Sequence, residues 1–349
     1  MKTTFATLSD LLSHGFDTII DVRSPAEFAE DHVPGAINLP ALSNKERAEV
    51  GTIYVQDAPF KARKIGAALV ARNVAAHLEG PLADKDGGWQ PLVYCWRGGQ
   101  RSGSFASILA QIGWRAGVVD GGYQAFRRLV YDALYVDELP HRIILLDGNT
   151  GTAKTDVLHL LAAKGVQVLD LEGLANHRGS LLGEMDGGQP SQKAFETALA
   201  CAIAALDPSR PVIVEAESSK VGERIVPPSL WNVMKAAPRV EIDAPLGVRA
   251  QYLANAYDDV SADRARMMTK LEVLRRHRGG LVDGWLALLD AEDFEGLASA
   301  LMEDHYDPTY RASRAKHDAE VLARFAADDL GADGREGLAA QIAAWVAAR

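Results

Sequence analysis

The chain has 349 residues, 48% hydrophobic and 24% charged, and its 47 acidic against 37 basic side chains give a formal net charge of -10. That length is more than one hydrophobic core usually serves, so two domains are expected, and the acidity argues against a nonspecific polyanion binder while leaving room for a local basic face that holds RNA. No apolar run reaches the length of a membrane span, the start Met1-Lys2-Thr3-Thr4-Phe5 lacks a signal peptide's apolar core, and two distant cysteines, Cys95 and Cys201, suggest neither a disulfide framework nor a zinc site, so a cytoplasmic protein without membrane contact is expected.

From Thr18, the residues Ile19-Ile20-Asp21-Val22-Arg23 read as a strand, and Ser24-Pro25-Ala26-Glu27-Phe28 as a helix start with Ser24 at the cap and Pro25 in the first turn. The segment Asp31 to Pro40 follows as a turn and a second short strand. Pro91-Leu92-Val93-Tyr94 is an apolar run that ends at Cys95, after which Trp96-Arg97-Gly98-Gly99-Gln100-Arg101 leads into a helix expected from Ser102 to about Ile112. A loop curled this way turns several backbone N–H groups toward its centre, and the helix adds the positive end of its dipole, so an anion there is stabilised. Cys95 stands at that focus. The field, reinforced by Arg97 and Arg101, predicts a thiol of lowered pKa that serves as nucleophile or carrier. A lone cysteine at a strand end is more commonly a buried small hydrophobe; the two glycines and two arginines directly after it turn the reading toward a reactive site. Ala116 to Tyr123 adds a strand and a glycine turn. Short apolar strands alternating with helices predict a mostly parallel sheet, with the active site at the carboxyl ends of its strands.

Asp21-Val22-Arg23, the segment His32 to Asn38, the cysteine loop and Asp120-Gly121-Gly122-Tyr123 together resemble a rhodanese domain over roughly residues 5–130. That resemblance implies a cysteine that carries sulfur or selenium as a persulfide or perselenide. Cys95 to Arg101 also spells Cys-x5-Arg, the pattern of the cysteine phosphatases, which usually place His before the cysteine where this chain has Tyr94.

Tyr135 to Pro140 reads as a linker between a domain at 1–135 and a second at 141–349. His141 to Asp147 is an apolar strand, followed by Gly148-Asn149-Thr150-Gly151-Thr152-Ala153-Lys154-Thr155 and a helix from Asp156 to Lys164. In that context Gly148 and Gly151 belong to a phosphate-binding loop, with Lys154 as its cation and Thr155 as a candidate Mg²⁺ ligand. Ala153 stands where the pattern has glycine, so the backbone's approach to phosphate is expected to differ there. The plainer alternative is a glycine turn beside an exposed lysine. Pro211 to Glu217 reads as an apolar strand ending in acids, with Glu215 either a metal-side carboxylate or only a strand end. Between these strands, Asp170 to Ser180 and Gln189-Pro190-Ser191-Gln192 are polar and read as a site loop, with Asn176, His177 and Arg178 as candidate substrate contacts. A lone histidine is more often structural. Ala198 to Ile203, which holds Cys201, reads as a packed helix. Arg264 to Arg278 reads as a helix with Met267, Leu271 and Leu274 on one face and six Lys or Arg against one acid. Arg266, Lys270, Arg275, Arg276 and Arg278 are therefore candidate RNA phosphate contacts, or else a solvated face. The tail from Ala319 to Arg349 carries Ala, Leu and charged residues at helical spacing.

A rhodanese domain followed by a phosphate-loop domain that carries Asp170 to Ser180, Gln189 to Gln192 and, near the end, His305-Tyr306-Asp307-Pro308-Thr309-Tyr310 resembles the tRNA 2-selenouridine synthase family across almost the whole chain. The resemblance implies an α/β fold: an N-terminal rhodanese-like domain, then a P-loop NTPase-like parallel-sheet domain with a helical C-terminal region. It implies a transferase acting on 2-thiouridine at the tRNA wobble position. Geranyl diphosphate would alkylate the sulfur, and selenium from selenophosphate would then replace the thiogeranyl group. These two are co-substrates; no tightly bound cofactor is expected, Mg²⁺ is the ion to consider, and an enzyme supplying selenophosphate is an expected partner beside tRNA. Alkylation makes sulfur a better leaving group, the displaced diphosphate suits Lys154 and its loop, and the Cys95 loop suits the oxyanion of selenophosphate and a perselenide. Glu217-Ser218-Ser219-Lys220-Val221-Gly222 starts less acidic than the family pattern. Two other readings stand beside this one. One is a simple sulfurtransferase whose phosphate-loop domain regulates or hydrolyses nucleotide without RNA. The other is a degenerate rhodanese used for docking, which the intact cysteine and arginines oppose.

Overall fold

The computed structural model describes residues 1–180, 182–256, 264–314 and 319–349. The chain forms two compact units, one of Met1–Asp137 with Pro190–Ala204, the other of Glu138–Gln189 with Ala205–Arg349.

In the first unit five short strands run in chain order as β1 (Lys2–Thr3), β2 (Thr18–Asp21), β3 (Ile37–Asn38), β4 (Pro91–Tyr94) and β5 (Gly117–Val119). They form one parallel sheet in the order β1-β5-β4-β2-β3. All four residues of β4 are buried, as a strand covered on both faces requires. Val93 is paired with Ile20 of β2 and Val118 of β5. Phe105 and Leu109, one turn apart on helix Gln100–Ile112, pack into the same core, as do Trp89 and Trp114, whose rings meet edge to face at 5.1 Å. Helix Gln192–Ala204 belongs to this unit. Arg127 fastens it by donating to Lys193 O, Thr197 Oγ1 and the Glu196 carboxylate, and Tyr135 donates to Glu196 as well.

The second unit contains β6 (Ile143–Gly148), β7 (Gln167–Leu169), β8 (Val212–Glu215), a small antiparallel hairpin of β9 (Lys220–Val221) and β10 (Arg224–Ile225), then β11 (Arg239–Asp243) and β12 (Val321–Ala326). Its main sheet is parallel, in the order β12-β11-β6-β8-β7, so β6 is central. Leu146, Ile213 and Val240 of three adjacent strands meet Leu158 and Leu161 of helix Lys154–Ala163 and Ile342 of helix Ala332–Ala347. The tail follows its helical spacing over Ala332–Ala347 and departs from it before that. Val321–Ala326 is an edge strand, because pairing with β11 and an Arg324–Glu241 ion pair of 2.8 Å decide its conformation rather than the local pattern.

Helices Arg264–Arg278, Leu281–Asp290 and Phe294–Leu301 gather round Trp285, and the face of Met267, Leu271 and Leu274 turns inward as its spacing predicts. Among the described residues no helix is long and apolar enough to cross a membrane. Trp285 is 1% exposed and its indole N–H donates to Asp304 at 3.2 Å. Trp285→Ala should therefore lower the unfolding free energy by about 3–5 kcal/mol in a denaturant titration; a loss below about 1 kcal/mol would contradict its place at the centre of this cluster.

Candidate active site

Cys95 follows directly on β4, at the carboxyl end of the central strand, and is 3% exposed. Burial alone raises a thiol pKa. Here it is outweighed by the Ser102 hydroxyl 3.1 Å from Sγ, by the backbone N–H groups of Ser102 and Arg97, and by the charge of Arg101, so the thiol lies below its ordinary value. The two arginines act differently. Arg97 contributes its amide, while its exposed guanidinium donates to Gln124 at 3.1 Å. Arg101 contributes charge and is itself held by Glu27 at 2.9 Å. Burial would raise Glu27, but Arg101 and the Ser24 amide hold it down at about 2.

The other motifs of this unit form the seat of the cysteine loop. Arg23 is wholly buried and grips Asp21 through Nε and Nη2, at 2.6 Å for the shortest contact, then donates to Asp31 O at 2.6 Å. Its guanidinium lies 3.8 Å from the centre of the Tyr123 ring. Tyr123 donates its hydroxyl to Asp31 Oδ2 at 2.7 Å and its amide to Cys95 O at 2.8 Å. Gly98 and Gly122 allow this closeness: both have positive φ, a Cβ on Gly98 would lie 2.6 Å from Val119 O, and one on Gly122 would overlap Cys95 O and the Gly98 amide.

The phosphate loop leaves β6 at Gly148 and enters helix Lys154–Ala163. Gly151 has φ 84°, and a Cβ there would press on Arg249 O at 2.9 Å. Ala153 takes φ 57° and ψ 30°, the left-handed conformation glycine adopts without strain. Its methyl packs into the hydrophobic core, so the loop keeps a glycine-like backbone without glycine. Lys154 Nζ donates to Gly148 O at 2.9 Å, and Thr155 donates to Glu172 at 2.6 Å.

Carboxylates converge beside this lysine. Glu217 is pushed up to about 8, first by burial and then by the charge of Glu172 and a hydrogen bond with it, against the opposing charge of Lys154. Glu215 is fully buried, accepts the Leu171 amide at 3.0 Å, and is raised well above the carboxylate range by burial and by Asp170 and Glu172. Among the described residues, no group of three or more His, Cys, Asp or Glu side chains is arranged to hold a metal ion.

The sequence reading passed over the groups that complete this site. Buried Arg249 donates to Thr150 O at 3.0 Å and pairs through both terminal nitrogens with Asp307 at 3.0 and 2.8 Å. Tyr310, in hydrogen bond with Thr150, sets its ring 5.7 Å from Lys154 Nζ. The segment His305 to Tyr310 was noticed only as part of a resemblance; that Asp307 and Tyr310 reach the loop required the fold. A pocket of about 420 Å³ opens here, lined by Trp231, Tyr306 and Tyr310 with Glu217 and Arg239 among its polar groups.

Other sequence candidates lie as follows. Asn176 has φ 47° and donates to Asp186 O and Gly188 O, clamping its own loop. His177 is buried and accepts the Gly179 amide, and burial lowers its pKa. Arg178 is half-buried, its amide bonded to Gly183 O. On the basic helix, Arg266 and Lys270 both pair with Glu184, Arg275 with Glu272 and Asp283, and Arg278 donates to His305, while Arg276 is exposed.

Two outcomes follow from the charges. Ser102→Ala should raise the midpoint of the pH profile for Cys95 alkylation by iodoacetamide by about one pH unit, since a hydrogen bond to a charged group is worth roughly 1.5–3 kcal/mol; Cys201, pushed up to about 11 by burial, should stay unreactive near neutrality. An unmoved midpoint would remove the hydroxyl from this role. Glu217 keeps its proton in the folded chain up to about 8, whereas in the unfolded chain it loses it near 4.5. The stability it contributes is therefore complete below pH 4.5 and is lost as pH rises from there to about 8. Glu217→Gln, which keeps a donor toward Glu172, should gain on the order of 1 kcal/mol over the parent at pH 8.5 and less at pH 5; equal melting shifts at both values would show that Glu217 does not titrate in this window.

Residues 4–129 match the rhodanese-like domain family, and residues 141–279 match the family described as the tRNA 2-selenouridine synthase AAA domain. The chain is 34% identical over 340 residues to the tRNA 2-selenouridine synthase of Cupriavidus necator, covering 88% of this chain and 90% of that protein. It is 31% identical over 340 residues to that of Alcanivorax borkumensis, covering 87% and 91%. With both folded units matched and relatives aligned nearly end to end, this chain belongs to the tRNA 2-selenouridine synthase family.

Proposed function

We propose that the chain converts wobble-position 2-thiouridine in tRNA to 2-selenouridine in two stages, alkylation of sulfur by geranyl diphosphate and replacement of the thiogeranyl group by selenium from selenophosphate. One observation carries this reading: a single chain holds a thiol kept below its ordinary pKa by backbone amides and, separately, a phosphate loop beside an aromatic pocket. In the first stage the thiocarbonyl sulfur attacks the allylic carbon, the C–O bond breaks, and diphosphate leaves with the electron pair while N3 of the base gives up its proton. Lys154 and the loop amides take the charge that develops on the diphosphate, and the wall of Trp231, Tyr306 and Tyr310 suits a base stacked on aromatic rings. Thr155, already bonded to Glu172, would hold Mg²⁺ with that carboxylate, and a bound ion would neutralise diphosphate charge. In the second stage the selenium of selenophosphate bonds to C2 and geranyl thiol departs with the pair of the C2–S bond; water then attacks phosphorus, the Se–P bond breaks with its pair left on selenium, and phosphate is released. The Cys95 loop, with amides of Arg97 and Ser102 aimed at the sulfur, suits the binding of selenophosphate and the passage of selenium.

One observation favours the plainer sulfurtransferase reading: Arg266, Lys270 and Arg275 of the basic helix already have acidic partners within the fold. RNA contact there would require phosphates to replace Glu184, Glu272 and Asp283, with binding that weakens as salt rises.

Mass analysis of nucleosides from 2-thiouridine-containing tRNA, incubated with the protein and each co-substrate omitted in turn, separates the readings. A geranylated nucleoside that gives way to selenouridine is the expected result. Cys95→Ala should abolish selenium incorporation and spare geranylation, and Lys154→Ala should slow geranylation by about 100-fold or more. Unchanged tRNA from protein that still transfers sulfur to cyanide would support the sulfurtransferase instead.

A further inference from the structure

In the first unit the chain between β3 and β4 forms a helical hairpin, Asn44–Gln56 and Pro59–Glu79, whose arms pack closely where Gly66 faces Val50. Its base is tied to the surroundings of the cysteine loop. Asn44 Oδ1 accepts the Ala26 amide at 2.9 Å, and Arg47 lies 3.4 Å from the Glu27 carboxylate that also holds Arg101. The first arm has 13 residues, and at a rise of about 1.5 Å each it ends about 20 Å from that base, at a tip closed by Asp57 and Ala58.

Two features coincide at the tip. It exposes large apolar side chains, Tyr54 at 55%, Val55 at 82% and Phe60 at 73%. Arg63 and Lys64, one turn on from Phe60, stand on its side of the helix, and Arg63 Nε donates to Pro59 O at 3.3 Å. Both cations are exposed, and among the described residues neither pairs with an acid. From Gly51 to Leu78 the sequence holds four Lys or Arg and one acid, Asp57, in a chain whose net charge is -10. An apolar protein face would cover the rings and leave the cations unanswered. Unpaired RNA answers both, since its bases stack on aromatic rings and its phosphates take Lys and Arg. The basic helix Arg264–Arg278 offers less, because Arg266, Lys270 and Arg275 are already paired.

We propose that this tip docks unpaired nucleotides of the tRNA near the base presented to Cys95, with Phe60 and Tyr54 as stacking platforms and Arg63 and Lys64 on the phosphates. The inference rests on the reading of tRNA as substrate and gives that substrate a surface. Because the hairpin's base adjoins the cysteine loop and its tip does not, the tip holds RNA beside the loop without occupying it.

The test is fluorescence anisotropy of end-labelled, 2-thiouridine-containing tRNA titrated with the full chain over a series of salt concentrations. Phe60→Ala should weaken binding about tenfold with the salt dependence unchanged, because a lost stack carries no charge. Replacing Arg63 and Lys64 together by Ala should weaken binding and flatten the slope of log affinity against log salt by roughly 1.5, the share of two phosphate contacts. Asp57→Asn, which removes the tip's acid and releases Lys61 from its 2.6 Å pair, should tighten binding about threefold, a gain that misfolding cannot produce. If all these variants bind tRNA like the parent, the hairpin is not the docking surface, while tRNA modification stands. If Phe60→Ala instead breaks up an oligomer in sedimentation velocity and leaves tRNA affinity unchanged, the tip is a contact between copies of the chain and the proposal is overturned. If the parent itself binds no tRNA, the substrate reading fails, and the docking surface with it.

Discussion

The structure depends on what a parallel strand does with its carboxyl end. Where β4 and β6 stop, the chain turns into a helix whose first amides have no partner within the helix, and in the first unit the amides of Arg97 and Ser102 are aimed at the Cys95 sulfur. The same constraint yields two sites because the occupants differ. In the first unit the loop closes on the chain's own sulfur. In the second the Lys154 ammonium rests on the loop's Gly148 and Asn149 carbonyls, and Arg249 holds the Thr150 carbonyl from outside.

Charge is arranged around the loops in opposite senses. At the cysteine loop the acids are each tied to a partner: Glu27 to Arg101, Asp21 to Arg23 and Asp31 to the Tyr123 hydroxyl. The phosphate loop has Glu172, Glu215 and Glu217 close together, and burial raises the pKa of both Glu215 and Glu217. Here the bland reading of Glu215 as a strand end and the functional one meet, because the same side chain secures the Leu171 amide and sits within the acidic group.

Cys95, the phosphate loop and the buried face of Met267, Leu271 and Leu274 were legible in the sequence because their determinants are local: spacing, glycines at a strand end, periodicity. Residues whose meaning depends on distant partners were not. Arg249 and Asp307 are 58 positions apart, and only the fold shows that their pair fixes the loop. The edge strand Val321–Ala326 owes its state to β11, which the sequence reading had not singled out. On the basic helix, composition is local and its partners are not. Its composition was read correctly, yet Glu184, far away in sequence, neutralises two of its cations.

The proposed two-stage chemistry also gives a reason for two folded units. An allylic diphosphate activated by a phosphate loop is an alkylating agent, and a thiolate is a better nucleophile than a thiocarbonyl sulfur. A cysteine of lowered pKa beside the loop would be alkylated itself. Both cysteines of the chain, Cys95 and Cys201, belong to the first unit, so the unit that carries the phosphate loop contains none. Around the loop, hydroxyls and carboxylates hold one another and the backbone: Thr155 with Glu172, Tyr310 with Thr150, Glu215 with Leu171.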